Sequence, residues 1–252
     1  MAVAILALGA TLANAQGSMN LAWNTCRTLT NNNTAATNDQ TTFTNSVCDN
    51  PAQQFLTKRI VCSMKNSSTL PGWGGTTIEV NFYVGAGGNP LPDFWDFSPT
   101  GCRNGSVAGP TTSVNATACA NPYRPGGINN DPQGETESSN VAFHHGPGVI
   151  TYQADHVRNT TQINLSPPSS PGGWLVNNLA LDGLSNDTCA GCDATVCVEL
   201  AFVQYFSLFE SRTITATELR NFITINGGNG PSCSTAVPVR ATTWGQVKAL
   251  YR

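Results

Sequence analysis

The sequence predicts an all-β protein: an antiparallel β-sandwich or jelly-roll-like domain, stapled by disulfides, with long loops and one short C-terminal helix. Three observations carry this. Short stretches rich in Val, Ile, Thr and aromatics recur about every ten residues between Gly, Pro, Ser and Asn punctuation, as in two packed sheets. Residues 76–84 alternate with period two, with Ile78, Val80, Phe82 and Val84 on one side and Thr77, Glu79, Asn81 and Tyr83 on the other. Such alternation means one packed face and one wet face. Nine cysteines follow an apolar leader, and outside the cell so many thiols act as staples.

The leader comes first. Residues 1–15 are an apolar run closing on Ala13-Asn14-Ala15, the small-x-small pattern of signal-peptide cleavage, although no Lys or Arg precedes the run. It is too short for a membrane helix, which needs about 20 apolar residues, and no later stretch is long enough. The expected organisation is a signal peptide, 1–15, followed by a single domain, 16–252, that is secreted or held at the cell surface.

Within that domain, residues 20–26 alternate and predict an opening strand, whereas 31–44 form a polar Asn/Thr tract that reads as a loop. Residues 58–64 predict a strand. Pro71-Gly-Trp-Gly-Gly75 is expected to break the chain before the strand at 76–84. The stretch 85–140 is too long for one connection and is expected to hide short strands or a packed loop around Phe94, Trp95 and Phe97. Further strands are predicted at 141–144, 149–154, 161–165, 174–181, 196–206, 212–215 and 221–225. In 196–206 the alternating set is Val196, Val198, Leu200, Phe202, Gln204 and Phe206, with Gln204 a polar interruption. Thr243-Trp-Gly-Gln246 fits a capping box, and Trp244, Val247, Leu250 and Tyr251 follow at helical spacing, so a terminal helix docked on the sheet is expected.

Composition narrows the function classes. Charged residues are 11% of the chain, against about 25% in an average soluble protein, and the formal net charge is -3. That balance argues against a nucleic-acid partner. With 40% hydrophobic residues and so little net charge, the chain can bury a core.

Chemistry-bearing residues are few. Cys189-Ala-Gly-Cys192 with Cys197 is the densest cysteine cluster, but no second CxxC or His pair completes a zinc site, and no βαβ pattern frames a redox pair. Disulfides are therefore expected among Cys26, Cys48, Cys102, Cys119, Cys189, Cys192, Cys197 and Cys233. Loop proximity favours Cys26–Cys48, Cys102–Cys119 and two bonds within the last four. Cys62 is left over, either buried as a small hydrophobe or linking two chains. His144, His145 and His156, the last beside Asp155, are the candidates for a base or a metal cluster, yet neither G-x-S-x-G nor H-E-x-x-H is present. Asp93 with Asp96, and Glu135 with Glu137, are candidate carboxylate pairs. Asn129-Asn-Asp131 and residues 182–187 offer calcium-type oxygens without an EF-hand pattern. No cofactor is expected, Ca²⁺ being the alternative. Trp73, Trp95 and Trp174 lie near turns, where they either plug the ends of a sandwich or stack on sugar rings.

Three landmarks, Asn20-Leu-Ala-Trp-Asn-Thr-Cys26, Cys189-Ala-Gly-Cys192 with Val196-Cys197, and the closing Thr243-Trp-Gly-Gln-Val-Lys-Ala-Leu-Tyr-Arg252, together resemble a group of exported bacterial proteins of unknown function. The resemblance implies export and a single shared domain, and it transfers no catalytic residue. The expected function is a non-enzymatic extracellular one: a structural, surface-assembly or adhesion protein whose partner is an extracellular glycan or protein, its own copies included. A carbohydrate-binding module using Trp73, Trp95 or Trp174, and an exported hydrolase with a histidine-based site, are the alternatives.

Overall fold

The computed structural model describes residues 15–23, 42–43, 58–84, 90–104, 107–108, 119–123, 137–146, 148–158, 162–169, 173–181, 189–207, 211–220 and 222–226. They form twelve strands: β1 (Ala15–Trp23), β2 (Thr42–Phe43), β3 (Lys58–Asn66), β4 (Leu70–Val84), β5 (Val107–Ala108), β6 (Glu137–Gly146), β7 (Val149–Arg158), β8 (Ile163–Leu165), β9 (Trp174–Leu181), β10 (Val196–Ser207), β11 (Ser211–Arg220) and β12 (Phe222–Ile225). One 3-10 turn, Asp93–Trp95, is the only helical piece among the described residues. The leader's apolar run, Cys26, Cys48, Cys233, both calcium-type loops and the terminal helix expected at 243–252 lie outside them.

The strands run in the order β5-β9-β3-β1-β11-β10-β4-β7-β6, with β12 on β10, β2 on β12 and β8 on β4. Pairing is antiparallel except for β1 with β11 and β2 with β12. Two sheets share this path. β11 joins them: Ser211 and Thr213 pair with Phe206 and Gln204 of β10, and then Ile214 to Arg220 pair with β1. β12 returns to β10 at Glu199. Between these two pairings β11 runs on from Ile214 to Arg220 while β10 covers only residues 200–203, and that excess lets the chain leave one sheet for the other.

Both sheets feed one core. Leu21, Trp23, Ile60, Cys62, Met64 and Leu179 come from the first sheet; Ile78, Val80, Phe82, Tyr152, Val198, Leu200 and Tyr205 come from the second. Each aliphatic or aromatic side chain so buried contributes about 1.5–3 kcal/mol. The alternation read in 76–84 is present: Ile78, Val80 and Phe82 are buried, while Thr77, Glu79 and Asn81 are half-buried on the other face.

Two of the differences from the sequence-based expectation are bulges. The Pro71–Gly75 break is absorbed inside β4. The register against β8 shifts between Leu70 and Trp73, Gly72 takes φ +59°, and its N–H donates to Asn164 Oδ1 at 3.0 Å. Pro71, lacking an N–H, sits exposed in that bulge. In β10 the inward set is not the simple alternation expected. The register against β4 shifts between Leu200 and Phe202, leaving Ala201 as an exposed extra residue. Val196, Val198 and Leu200 point inward before this bulge; Val203 and Tyr205 do so after it, while Phe202, Gln204 and Phe206 turn outward, half-buried. The polar interruption at Gln204 thus belongs to the wet face.

Candidate functional site

Residues 90–104 and 189–195 meet at one end of the sandwich. Pro92, with φ −60°, starts the 3-10 turn, and the Phe94 N–H donates to Ala190 O at 3.0 Å. Trp95 Nε1 donates to Gly191 O at 3.0 Å. Phe94, Trp95 and Phe97 are buried and meet edge-to-face, with Phe97 resting on Phe82. Arg103, 4% exposed, lies with its guanidinium carbon 4.4 Å from the Phe94 ring centroid, the geometry of a cation–π contact. Gly191 takes φ +87°, and a Cβ there would collide with Pro92, so only glycine fits. Asn226, at φ 55°, closes β12 and donates through Nδ2 to Cys192 O and Ala194 O at 3.0 and 3.1 Å.

The cysteines tie this end together. Cys102 bonds to Cys189, with Cα atoms 6.0 Å apart. Neither the expected Cys102–Cys119 bond nor the pair of bonds expected within the last four cysteines is therefore formed: the strand order brings residues 90–104 onto the loop before β10, which sequence distance alone conceals. Cys119, Cys192 and Cys197 are disulfide-bonded as well. The Cys189-x-x-Cys192 pair is thus structural rather than a vacant thiol pair for zinc or redox work.

Cys62 is a free thiol, fully buried on β3. Burial pushes it well above the usual cysteine range, and burial first, then the proximity of Cys62, pushes the Tyr152 hydroxyl up as well. The folded state therefore prefers the protonated thiol, so this contribution to stability is intact below the unfolded pKa near 8.5 and is lost as pH rises above it, by about 1.4 kcal/mol per pH unit. Between pH 7 and 10, Cys62→Ala should lose about 2 kcal/mol less stability than the parent protein in urea titrations. Equal alkaline slopes in the two proteins would refute this account of Cys62.

His144 and His156 do not gather. His156, fully buried, stacks at 4.1 Å on Tyr123, whose hydroxyl shares a 2.8 Å hydrogen bond with Thr76 Oγ1 and whose ring lies 5.1 Å from Trp73. Asp155, on the opposite face of β7, accepts from the Thr77 hydroxyl at 2.7 Å, so His156 and Asp155 form no dyad. His144 is exposed on β6, its Nε2 3.3 Å from Gln153 Oε1. It pairs with Thr151, about 17 Å along β7 from His156 and on the other face. The side chain of His145 lies outside the described residues, and no group of three metal-ligating side chains is found among the described ones.

The remaining candidates are placed as follows. Asp93 is exposed, and Asp96 accepts the Ser98 N–H at 3.0 Å as a turn-closing carboxylate. Glu135 and the Glu137 side chain are not described. Trp73, Trp95 and Trp174 are all buried, and the Trp174 Nε1 donates to Ser166 O at 3.1 Å. They plug and line the core, so an exposed sugar-stacking platform is not what these three build.

What sequence reasoning missed is the hydrogen-bond ladder across the wet face of the β10-β4-β7-β6 sheet. Tyr83 donates to Glu199 Oε2 at 3.0 Å, Thr151 to Asn81 Oδ1 at 2.7 Å and Thr77 to Asp155, a cross-strand ladder running from β10 to β7. Burial, with Glu199 beside it, pushes the Tyr83 hydroxyl up and keeps it a donor. The face ends at β6. Where only 141–144 was expected, this strand runs from Glu137 to Gly146, because its first half is Ser, Ser and Asn and carries no apolar alternation to read. Comparisons with protein-family models, curated proteins and solved structures find no match for the chain.

Proposed function

We propose that the protein is an exported, non-enzymatic structural protein of the cell surface or its surroundings, which assembles or adheres through the edge of its second sheet. One observation carries this reading. Among the described residues the strand order ends on two unequal edges, β5 with two residues and β6 with ten. A short edge is protected from pairing, whereas a long one presents a row of backbone donors and acceptors. The leader pattern at 1–15, the resemblance to exported bacterial proteins and the oxidised Cys102–Cys189 pair support an extracellular setting. The dispersal of His144, His156 and Asp155 favours this reading over a hydrolase.

Light scattering on the purified chain tests it. The parent protein is expected to form species heavier than one chain as concentration rises. Ala142→Lys, which places a charge on the edge strand opposite Gln153, should hold it at the single-chain mass. A parent protein that stays at the single-chain mass throughout would sink the proposal.

A further inference from the structure

We infer that the occupant of the β6 edge is a second copy of the same chain, paired antiparallel about a two-fold axis at Val141; the inference rests on the assembly reading above. The register of β6 on β7 runs from Glu137 opposite Arg158 to Gly146 opposite Val149 without a shift. Among the described residues β6 pairs only with β7. Protected edges carry Lys, Pro or a bulge; Glu137-Ser-Ser-Asn-Val-Ala-Phe-His-His-Gly146 has none of them.

Symmetry then restricts the pairing. A two-fold axis normal to the sheet keeps each face on its own side, so opposed residues must share a face. Faces alternate along a strand, so the axis passes through a residue rather than between two. Val141 and Ala142 are the central choices. An axis at Val141 sets Glu137 opposite position 145 of the second copy, a histidine, and uses 137–145 in full. An axis at Ala142 pushes Glu137 past the strand end, opposite Pro147. By register position alone, the only formally charged residue of the strand is set across from a histidine position in the first register and beyond the strand in the second.

Cross-linking reads the register. Directly opposed residues of antiparallel strands lie within disulfide reach, while diagonal ones about 7–8 Å apart do not. On mild oxidation, Val141→Cys should give a product of twice the chain mass that is split by reductant. Ala142→Cys, and Gln153→Cys one strand further in, should not. As a check independent of new thiols, Glu137→Arg should lower the associated fraction at least tenfold, and adding His145→Glu should restore it. Cross-linking through Ala142→Cys instead, or no rescue by the charge swap, would overturn the Val141 register. A parent protein that associates while Val141→Cys yields no cross-link would overturn self-pairing through β6 but leave assembly standing. A parent protein that never associates removes both.

Discussion

Replacing both Cys102 and Cys189 by Ser should lower the unfolding free energy by about 4–5 kcal/mol, the largest loss expected from any pair of substitutions here. The bond joins residues 87 apart in sequence, and closing a loop of that size in the unfolded chain removes about that much conformational freedom. The folded end of the sandwich keeps its other ties: Phe94 to Ala190, Trp95 to Gly191, and Arg103 over Phe94. Cys102 is exposed and Cys189 half-buried, so serine there strands no polar atom in the core. The native fold should survive with its near-ultraviolet aromatic spectrum intact while the melting temperature falls by about 10–15 °C. Domains are stable by only about 5–15 kcal/mol, so the doubly substituted protein should be marginal. A loss below about 1 kcal/mol, or a collapsed aromatic spectrum, would show that the bond does not act through the unfolded state.

This end of the molecule also shows where sequence reading stops. Period-two alternation located the strand cores because the sheet buries one face, and in residues 78–82 nothing interrupts that rule. It failed at Ala201, where Phe202 and Phe206 continue an apolar rhythm and only the pairing with β4 reveals the extra residue. Pro71-Gly72 reads as a break because both residues disfavour regular strand, yet a bulge uses the same two properties. Sequence proximity pairs Cys102 with Cys119, whereas Cys102 meets Cys189 through the strand order, which local spacing does not reveal. The site was less legible than the fold. Trp73, Trp95 and Trp174 stand near glycines and prolines whether they plug a core or face a sugar, and only burial separates the two.

The same burial governs how the surface can be used. Trp73, Trp95 and Trp174 have withdrawn into the core, and on the wet face of the second sheet Tyr83, Thr77 and Thr151 donate to Glu199, Asp155 and Asn81. Among the described residues β6 pairs on one side only, and the assembly proposed above uses the backbone donors and acceptors of its other side. Recognition through main-chain hydrogen bonds needs strand length and flat register rather than ionisable groups, which suits a chain with 11% charged residues.

Trp95→Ala decides between the core and sugar-stacking roles of the aromatic cluster, and it should cost about 3–5 kcal/mol in urea unfolding. Trp95 is 3% exposed, packs edge-to-face against Phe94 and Phe97, and donates to Gly191 O. Removing it opens a cavity between the 3-10 turn and the Cys189–Cys192 loop and leaves the Gly191 carbonyl without its donor. Neither loss relaxes easily, because Pro92 and Gly191 are in contact and the Cys102–Cys189 bond fixes the two loops together. A tryptophan serving as a sugar platform behaves in the opposite way: it is exposed, its truncation changes stability by no more than about 0.5 kcal/mol, and binding is what disappears. A Trp95→Ala protein of near-parental stability would mean that the loop carries the ring outward in solution, and the carbohydrate-binding alternative would then displace the assembly reading.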